Sequence, residues 1–151
     1  MRLFRKELPA VFPEDYTFDL FKADVLREGR DVSVFATGFQ LKDALDAAEI
    51  LAGEGIQAEV INVHTIKPID KETVVASAHK TGAVLTVENH NVIGGLHSAV
   101  LEALAQEKIP VCAVGVADRF GEVGKLPYLR QTMGLTVENI IASAKRAAAL
   151  K

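Results

Sequence analysis

The chain has 151 residues, of which 49% are hydrophobic and 25% charged, and its formal net charge is −3. This length is typical of one domain and is enough to bury roughly 70% of the unfolded surface. The acidic balance offers no basic surface to nucleic acid, and no apolar run approaches the roughly 20 residues that a membrane span needs. Cys112 is the only cysteine, which excludes an internal disulfide and favours a cytoplasmic location.

The first 30 residues lack the periodicity of a helix or a strand and carry two prolines, Pro9 and Pro13. We interpret this segment as a linker or irregular arm, with a short hairpin around residues 18–25. Regular patterns begin at residue 31 and continue to the end of the chain.

From residue 31 onward, short apolar runs typical of strands alternate with segments of helical periodicity. The pattern predicts four strands, at residues 32–36, 58–63, 83–87 and 111–116. Helices are predicted at residues 41–53, 71–81, 96–106 and 137–150, with a short one before Gly134. Asp70 and Thr136 are expected to cap two of them, and Gly82 to end one. This alternation predicts a three-layer α/β/α domain with a mostly parallel sheet.

Polar, glycine-bearing segments follow the predicted strands, where ligands of parallel sheets bind. Gly94 and Gly95 precede a helix and suggest either an anion cradle or a tight turn, and we favour the turn because no phosphate-loop spacing is present. Glu88, His90 and His97 suggest a metal site, but a structural role is the simpler interpretation because no third ligand has a usual spacing.

The other polar segments carry equally plain interpretations. Residues 67–70 are expected to form a turn that ends in the cap Asp70, and residues 121–125 lack the spacing of a nucleotide loop. Cys112 lies in an apolar run and is expected to be a small buried side chain. From its residues alone, the chain has no predicted catalytic, cofactor-binding or metal-binding residue.

Four segments, in order and at consistent spacing, resemble the C-terminal domain of transketolases. They read DVSVFATG (31–38), INVHTIKPID (61–70), VENHNVIGGLHSAV (87–100) and GVADRFGEVGKLPYLRQTMGLTVENIIASAKRA (115–147). The resemblance covers about residues 2–150 and is closest to the bacterial and archaeal form that is split into two chains. DRFGE-x-GK, residues 118–125, favours transketolase over deoxyxylulose-phosphate synthase, which belongs to the same superfamily.

The resemblance implies that this chain is the third of three domains. The first binds thiamine diphosphate and Mg²⁺ through a Gly-Asp-Gly motif, which this sequence lacks. The second activates the cofactor, and the third does not contact it. The implied role is therefore in assembly, and the chain alone is expected to bind no cofactor and to be inactive.

The N-terminal stretch adds one site residue. Residues 1–9 resemble the end of the preceding pyrimidine-binding domain, where a family arginine that matches Arg5 binds substrate phosphate. The plain alternative for Arg5 is a solvated linker charge. The expected division is an interdomain segment and irregular arm over residues 1–30 and the transketolase C-terminal domain over residues 31–151.

The complete enzyme implied by the resemblance transfers a two-carbon ketol unit between sugar phosphates in the pentose phosphate pathway. Its expected partners are the remaining domains or an N-terminal subunit, and a second copy, since family members are dimers; the loop-rich edge of the sheet is the expected contact. Two alternatives remain open: the same domain of a deoxyxylulose-phosphate synthase or of a 2-oxo-acid dehydrogenase β-subunit, and a free-standing interaction module without catalysis.

Overall fold

A computed structural model describes residues 7–151. Its strands are β1 Asp24–Arg27, β2 Val32–Ala36, β3 Ala58–Asn62, β4 Val84–Asn91 and β5 Val111–Val116. Its helices are α1 Gln40–Gly53, α2 Lys71–Thr81, α3 Leu96–Ala103, α4 Leu126–Thr132 and α5 Val137–Ala148. The described part of the chain contains no helix that is long and apolar enough to cross a lipid bilayer.

The five strands form one sheet in the order β1-β3-β2-β4-β5. The neighbours β3, β2, β4 and β5 run parallel, with Val34 of β2 beside Val60 of β3 and Leu85 of β4. Among the strands of residues 7–151, only β1 is antiparallel, and it pairs with β3. The predicted α/β class with a mostly parallel sheet is confirmed.

Helices cover both faces of the sheet, and each face has its own hydrophobic core. One core lies under α1 and α5 and includes Val34, Leu51 and Ile140, all nearly inaccessible to water. The other lies under α2 and α3 and includes Phe35 and Leu96. Successive side chains of a strand point to opposite faces, so the continuous apolar run of β2 supplies both cores.

The predicted helix ends depend on local chemistry, and most agree with the structure. Asp70 caps α2 by accepting a hydrogen bond from the Thr73 N–H at 3.2 Å. Gly82 ends that helix with a left-handed φ of 73°, a conformation that glycine adopts without a steric penalty. Thr136 caps α5 by accepting from the Asn139 N–H at 3.3 Å. The predicted caps and the helix end at Gly82 are therefore confirmed.

Three predicted elements differ from the structure. The hairpin expected around residues 18–25 was wrong, because Asp24–Arg27 is a single strand that pairs with the distant β3. Helix α3 ends at Ala103 rather than at residue 106. Beyond this end the Ala105 N–H donates to the Glu102 carbonyl, three residues back instead of four, so the chain forms a tighter turn. Strand β4 extends to Asn91, four residues beyond its predicted end.

Candidate functional site

The carboxyl ends of the four parallel strands meet at one edge of the sheet, which is the candidate site of this fold. The loops that follow β2, β3, β4 and β5 lie there, as the sequence predicts. Several of their polar side chains form hydrogen bonds with backbone or side-chain groups of the same loops and of neighbouring segments.

Glu88 lies near the carboxyl end of β4, and its side chain is almost fully buried. Its two carboxylate oxygens accept hydrogen bonds from the N–H groups of Leu96 and His97, each at 2.8 Å. Both donors belong to the first turn of α3, whose free N–H groups and helix dipole favour a negative charge. Glu88 therefore caps α3 from eight residues upstream, a role that no local capping motif in the sequence indicates.

The two glycines before α3 meet different needs. Gly94 has a φ of 77°, which favours glycine, and open space around it. At Gly95 an added Cβ would lie 2.0 Å from Glu88 Oε2 and 2.6 Å from the Asn91 carbonyl oxygen. The Gly-Gly pair is thus a tight turn, as favoured from sequence, whose first glycine sets the backbone and whose second admits the Glu88 carboxylate.

The two histidines near Glu88 have separate partners. His97 Nδ1 lies 3.1 Å from Thr86 Oγ1, and His90 Nδ1 lies 2.9 Å from the Asn91 carbonyl oxygen. Burial lowers the pKa of His97, and the charge of Glu88 opposes this shift. Among residues 7–151, no three histidine, cysteine or acidic side chains are grouped as metal ligands.

The loop after β3 anchors the segment that precedes the sheet. The Asp70 carboxylate accepts from the Ala23 N–H at 3.1 Å and from Thr73 Oγ1 at 2.7 Å. Although burial raises it, hydrogen bonds from Thr73 and Ala23 hold the pKa of Asp70 below its usual value. The expected turn at residues 67–70 thus links α2 to the N-terminal segment.

A second anchor, which the sequence did not indicate, gathers around Asp24. Its carboxylate accepts from the Tyr16 hydroxyl at 2.9 Å and from Asn62 Nδ2 at 3.1 Å. His64 Nε2 lies 3.7 Å from the same carboxylate, and the Phe18 ring packs against this histidine at 4.6 Å between centroids, with the two rings tilted by 49°. The stretch described as an irregular arm is therefore fastened to the end of β3.

The loop after β5 is stabilised by polar contacts within the loop and with α4, and two of its apolar side chains are exposed to solvent. Glu122 accepts from Arg119 and, at 2.7 Å, from the Tyr128 hydroxyl. Phe120 and Val123 of the same loop are fully exposed, at 97% and 104% relative accessibility. The loop thus presents two apolar side chains outward from a fixed polar base.

Cys112 was expected to be buried and is partly buried: it packs against the core under α1 and α5 but keeps some solvent contact, because its strand β5 lies at an edge of the sheet. Arg5, the expected phosphate ligand, lies outside the described residues.

Comparison with known proteins shows a family match over most of the chain. The family model for the transketolase C-terminal domain matches residues 21–140. The 6-deoxy-6-sulfo-D-fructose transketolase subunit SqwH of Clostridium sp. (strain MSTE9) is 52% identical over 145 residues, which are 95% of this chain and 45% of that protein. The 1-deoxy-D-xylulose-5-phosphate synthase of Heliobacterium modesticaldum is 38% identical over 87% of this chain and 21% of its own length.

A solved structure gives the same result. A split-gene transketolase, solved as an inactive tetramer of four β subunits, superimposes with a TM-score of 0.93 at 46% identity, over 97% of this chain and 48% of that one. The present chain thus spans less than half the length of these relatives. Since the family model covers 120 of 151 residues, from 21 to 140, the chain belongs to the transketolase C-terminal domain family.

Proposed function

We propose that this chain supplies the C-terminal domain of a thiamine-diphosphate-dependent transketolase, which moves a two-carbon ketol unit from a ketose donor to an aldose acceptor. The observation that carries the proposal is the 52% identity, over 95% of this chain, to a protein named as a transketolase subunit. The cofactor supplies the carbanion chemistry, and protein groups supply binding and orientation.

Within that enzyme, the proposed role of this chain is assembly rather than cofactor binding. The buried carboxylate of Glu88 at the candidate edge is already bound to the N-terminus of α3. The sequence of this chain contains no Gly-Asp-Gly motif, so thiamine diphosphate and Mg²⁺ are assigned to the other domains or to an N-terminal subunit.

Calorimetric titration of the purified chain with thiamine diphosphate and Mg²⁺ tests this assignment. We expect no saturable heat and no transketolase activity from the chain alone. A saturable micromolar signal would contradict the assembly role, whereas activity that appears only on adding the missing domains would support it.

The substrate class has two candidates. The resemblance implies sugar phosphates and hence the pentose phosphate pathway, whereas the SqwH relative is named for a substrate with a sulfonate on carbon 6. The phosphate and the sulfonate are both anionic, but they differ in net charge and in shape. The kcat/KM of the reconstituted enzyme for fructose 6-phosphate and for 6-deoxy-6-sulfo-D-fructose decides between them, and formation of 1-deoxy-D-xylulose 5-phosphate instead would favour the synthase alternative.

Arg5 is proposed to bind the substrate phosphate in the complete enzyme. A guanidinium holds a phosphate through paired charge-assisted hydrogen bonds. Loss of such a contact is worth about 1.5–3 kcal/mol, so Arg5→Ala should lower kcat/KM for phosphorylated acceptors about ten- to a hundredfold.

The control for this variant is an acceptor without phosphate. Glycolaldehyde should react nearly as well with Arg5→Ala as with the wild type, and Lys6→Ala should leave both acceptors unaffected. Equal losses for both acceptors would leave Arg5 as a structural charge.

Self-association is the last part of the proposal. Support comes from the solved relative, a tetramer of four β subunits whose chain matches 97% of the length of the present chain. We propose that copies of this chain associate into a homodimer that joins the other transketolase domains or subunit. Sedimentation over a range of concentrations tests it, and a monomer that persists to millimolar concentration would contradict it.

A further inference from the structure

Among the described residues, one side of the edge strand β5 has a row of backbone groups without hydrogen-bond partners. In the part of the chain that the structure describes, β5 pairs with β4 alone. The Val84 N–H donates to the Pro110 carbonyl at 2.9 Å, and the Val92 N–H donates to the Val116 carbonyl at 3.1 Å. Backbone groups alternate in direction along a strand, so the even-numbered residues face β4 and residues 111, 113 and 115 point their N–H and C=O groups outward.

Nothing in the sequence of β5 protects this edge. Its six residues read VCAVGV and contain no charge and no proline. Natural sheets protect exposed edges with short strands, charges, prolines or bulges, because an open edge recruits another strand. The opposite edge, β1, has these devices: four residues, two of them charged, and an irregular register between Val25 and Arg27.

We propose that β5 pairs antiparallel with β5 of a second copy of this chain, across a two-fold axis at Ala113, so that the two sheets become continuous. This inference rests on the self-association in the proposed function and names its surface. About the axis, Ala113 faces its own counterpart and Val111 faces Gly115 of the partner subunit. Each outward residue then donates one hydrogen bond and accepts one, and the surface is complementary to itself.

Charges and apolar side chains beside the strand fit the same arrangement. A register centred on Ala113 brings the exposed Lys108 of one copy next to the exposed Asp118 of the partner subunit. Neither residue has an ion-pair partner among the described residues. Leu101 is 44% exposed and lies one turn after His97 in α3. It is therefore on the same side of the helix as His97, which contacts Thr86 of β4. Burial of Leu101 against its counterpart would extend the contact beyond the strands.

A proline substitution tests the proposed β5–β5 contact, called the seam, at its centre, Ala113. Ala113→Pro removes the outward N–H, while proline is tolerated where a strand faces solvent and the preceding residue is already extended. Ala113→Ser is the matched control, because it retains the N–H. We expect the proline variant to raise the dimer dissociation constant in sedimentation about tenfold or more, and the serine variant to leave it within about twofold.

The outcomes separate this inference from the proposed function. If the wild type associates and Ala113→Pro associates equally well, the seam is wrong while the proposed self-association stands. If only the double variant Phe120→Ser/Val123→Ser dissociates, the loop-rich edge is the interface instead. A wild type that never associates overturns both.

Two further measurements do not depend on the folding of the proline variant. Hydrogen exchange of the wild type should slow with rising concentration at the amides of Val111, Ala113 and Gly115, and unchanged exchange there would overturn the seam. Lys108→Glu should weaken the dimer severalfold at low salt, more than Lys125→Glu, which changes an exposed loop cation. Equal effects of the two would contradict the antiparallel register.

Discussion

Replacing Gly95 with alanine probes the most tightly packed point of the candidate site. Gly95 has φ −101° and ψ −153°, which other residues adopt freely, so the cost of a methyl group is steric. The new Cβ would meet Glu88 Oε2 at 2.0 Å and the Asn91 carbonyl oxygen at 2.6 Å. Contacts this short require the carboxylate to move away from the N-terminus of α3.

The magnitude follows from the hydrogen bonds that would be lost. Glu88 accepts two bonds of 2.8 Å from the first turn of α3, and a bond to a charged group contributes about 1.5–3 kcal/mol. With partial relaxation of the turn, we expect Gly95→Ala to lower the free energy of unfolding by about 3 kcal/mol. For a chain of this length, that corresponds to a fall in Tm of about 6–12 °C.

Urea denaturation followed by circular dichroism measures this loss, with Gly121→Ala as the matched control. Gly121 has no atom within 4 Å of an added Cβ, so its substitution should change stability by less than about 0.5 kcal/mol. In a Glu88→Ala background the cost of Gly95→Ala should shrink, because the clashing carboxylate is absent. If Gly95→Ala and Gly121→Ala prove equally stable, Glu88 does not occupy the position described.

Two pH-dependent predictions concern groups near the same edge. Asp70 has a lowered pKa despite the raising effect of burial, so the stabilisation by its carboxylate is complete above its unfolded pKa of about 3.9 and is lost as the pH falls through the folded value. Asp70→Asn should lower the free energy of unfolding by about 1–2 kcal/mol at pH 7. The urea midpoint of this variant should converge with that of the wild type near pH 2. Burial lowers the pKa of His97, so the unfolded chain binds its proton more readily and stability should decline as the pH falls below about 6.5. His97→Gln should flatten that part of the stability curve measured between pH 7 and 5, and an unchanged slope would show that His97 is not its source.

The sequence by itself determined the layers of this domain and most of its helix ends. Strand-length apolar runs alternate with helical periods, and few topologies other than a parallel sheet between helices bury both patterns. Local capping chemistry is also readable, because Asp70 and Thr136 bind N–H groups only three residues away. Family membership followed from motifs in order along the chain, and the matching family model agrees.

Only the tertiary structure decided which distant groups meet. Strand β1 forms because β3, more than 30 residues later, pairs with Asp24–Arg27. A segment of four residues with two charges has too weak a local pattern to predict a strand from sequence. Glu88 caps α3 from the far side of a turn, so the need for glycine at position 95 becomes visible only when the carboxylate is in place. The partial burial of Cys112 likewise depends on strand order, since the same apolar run would be fully buried in the middle of the sheet and is only partly buried at its edge.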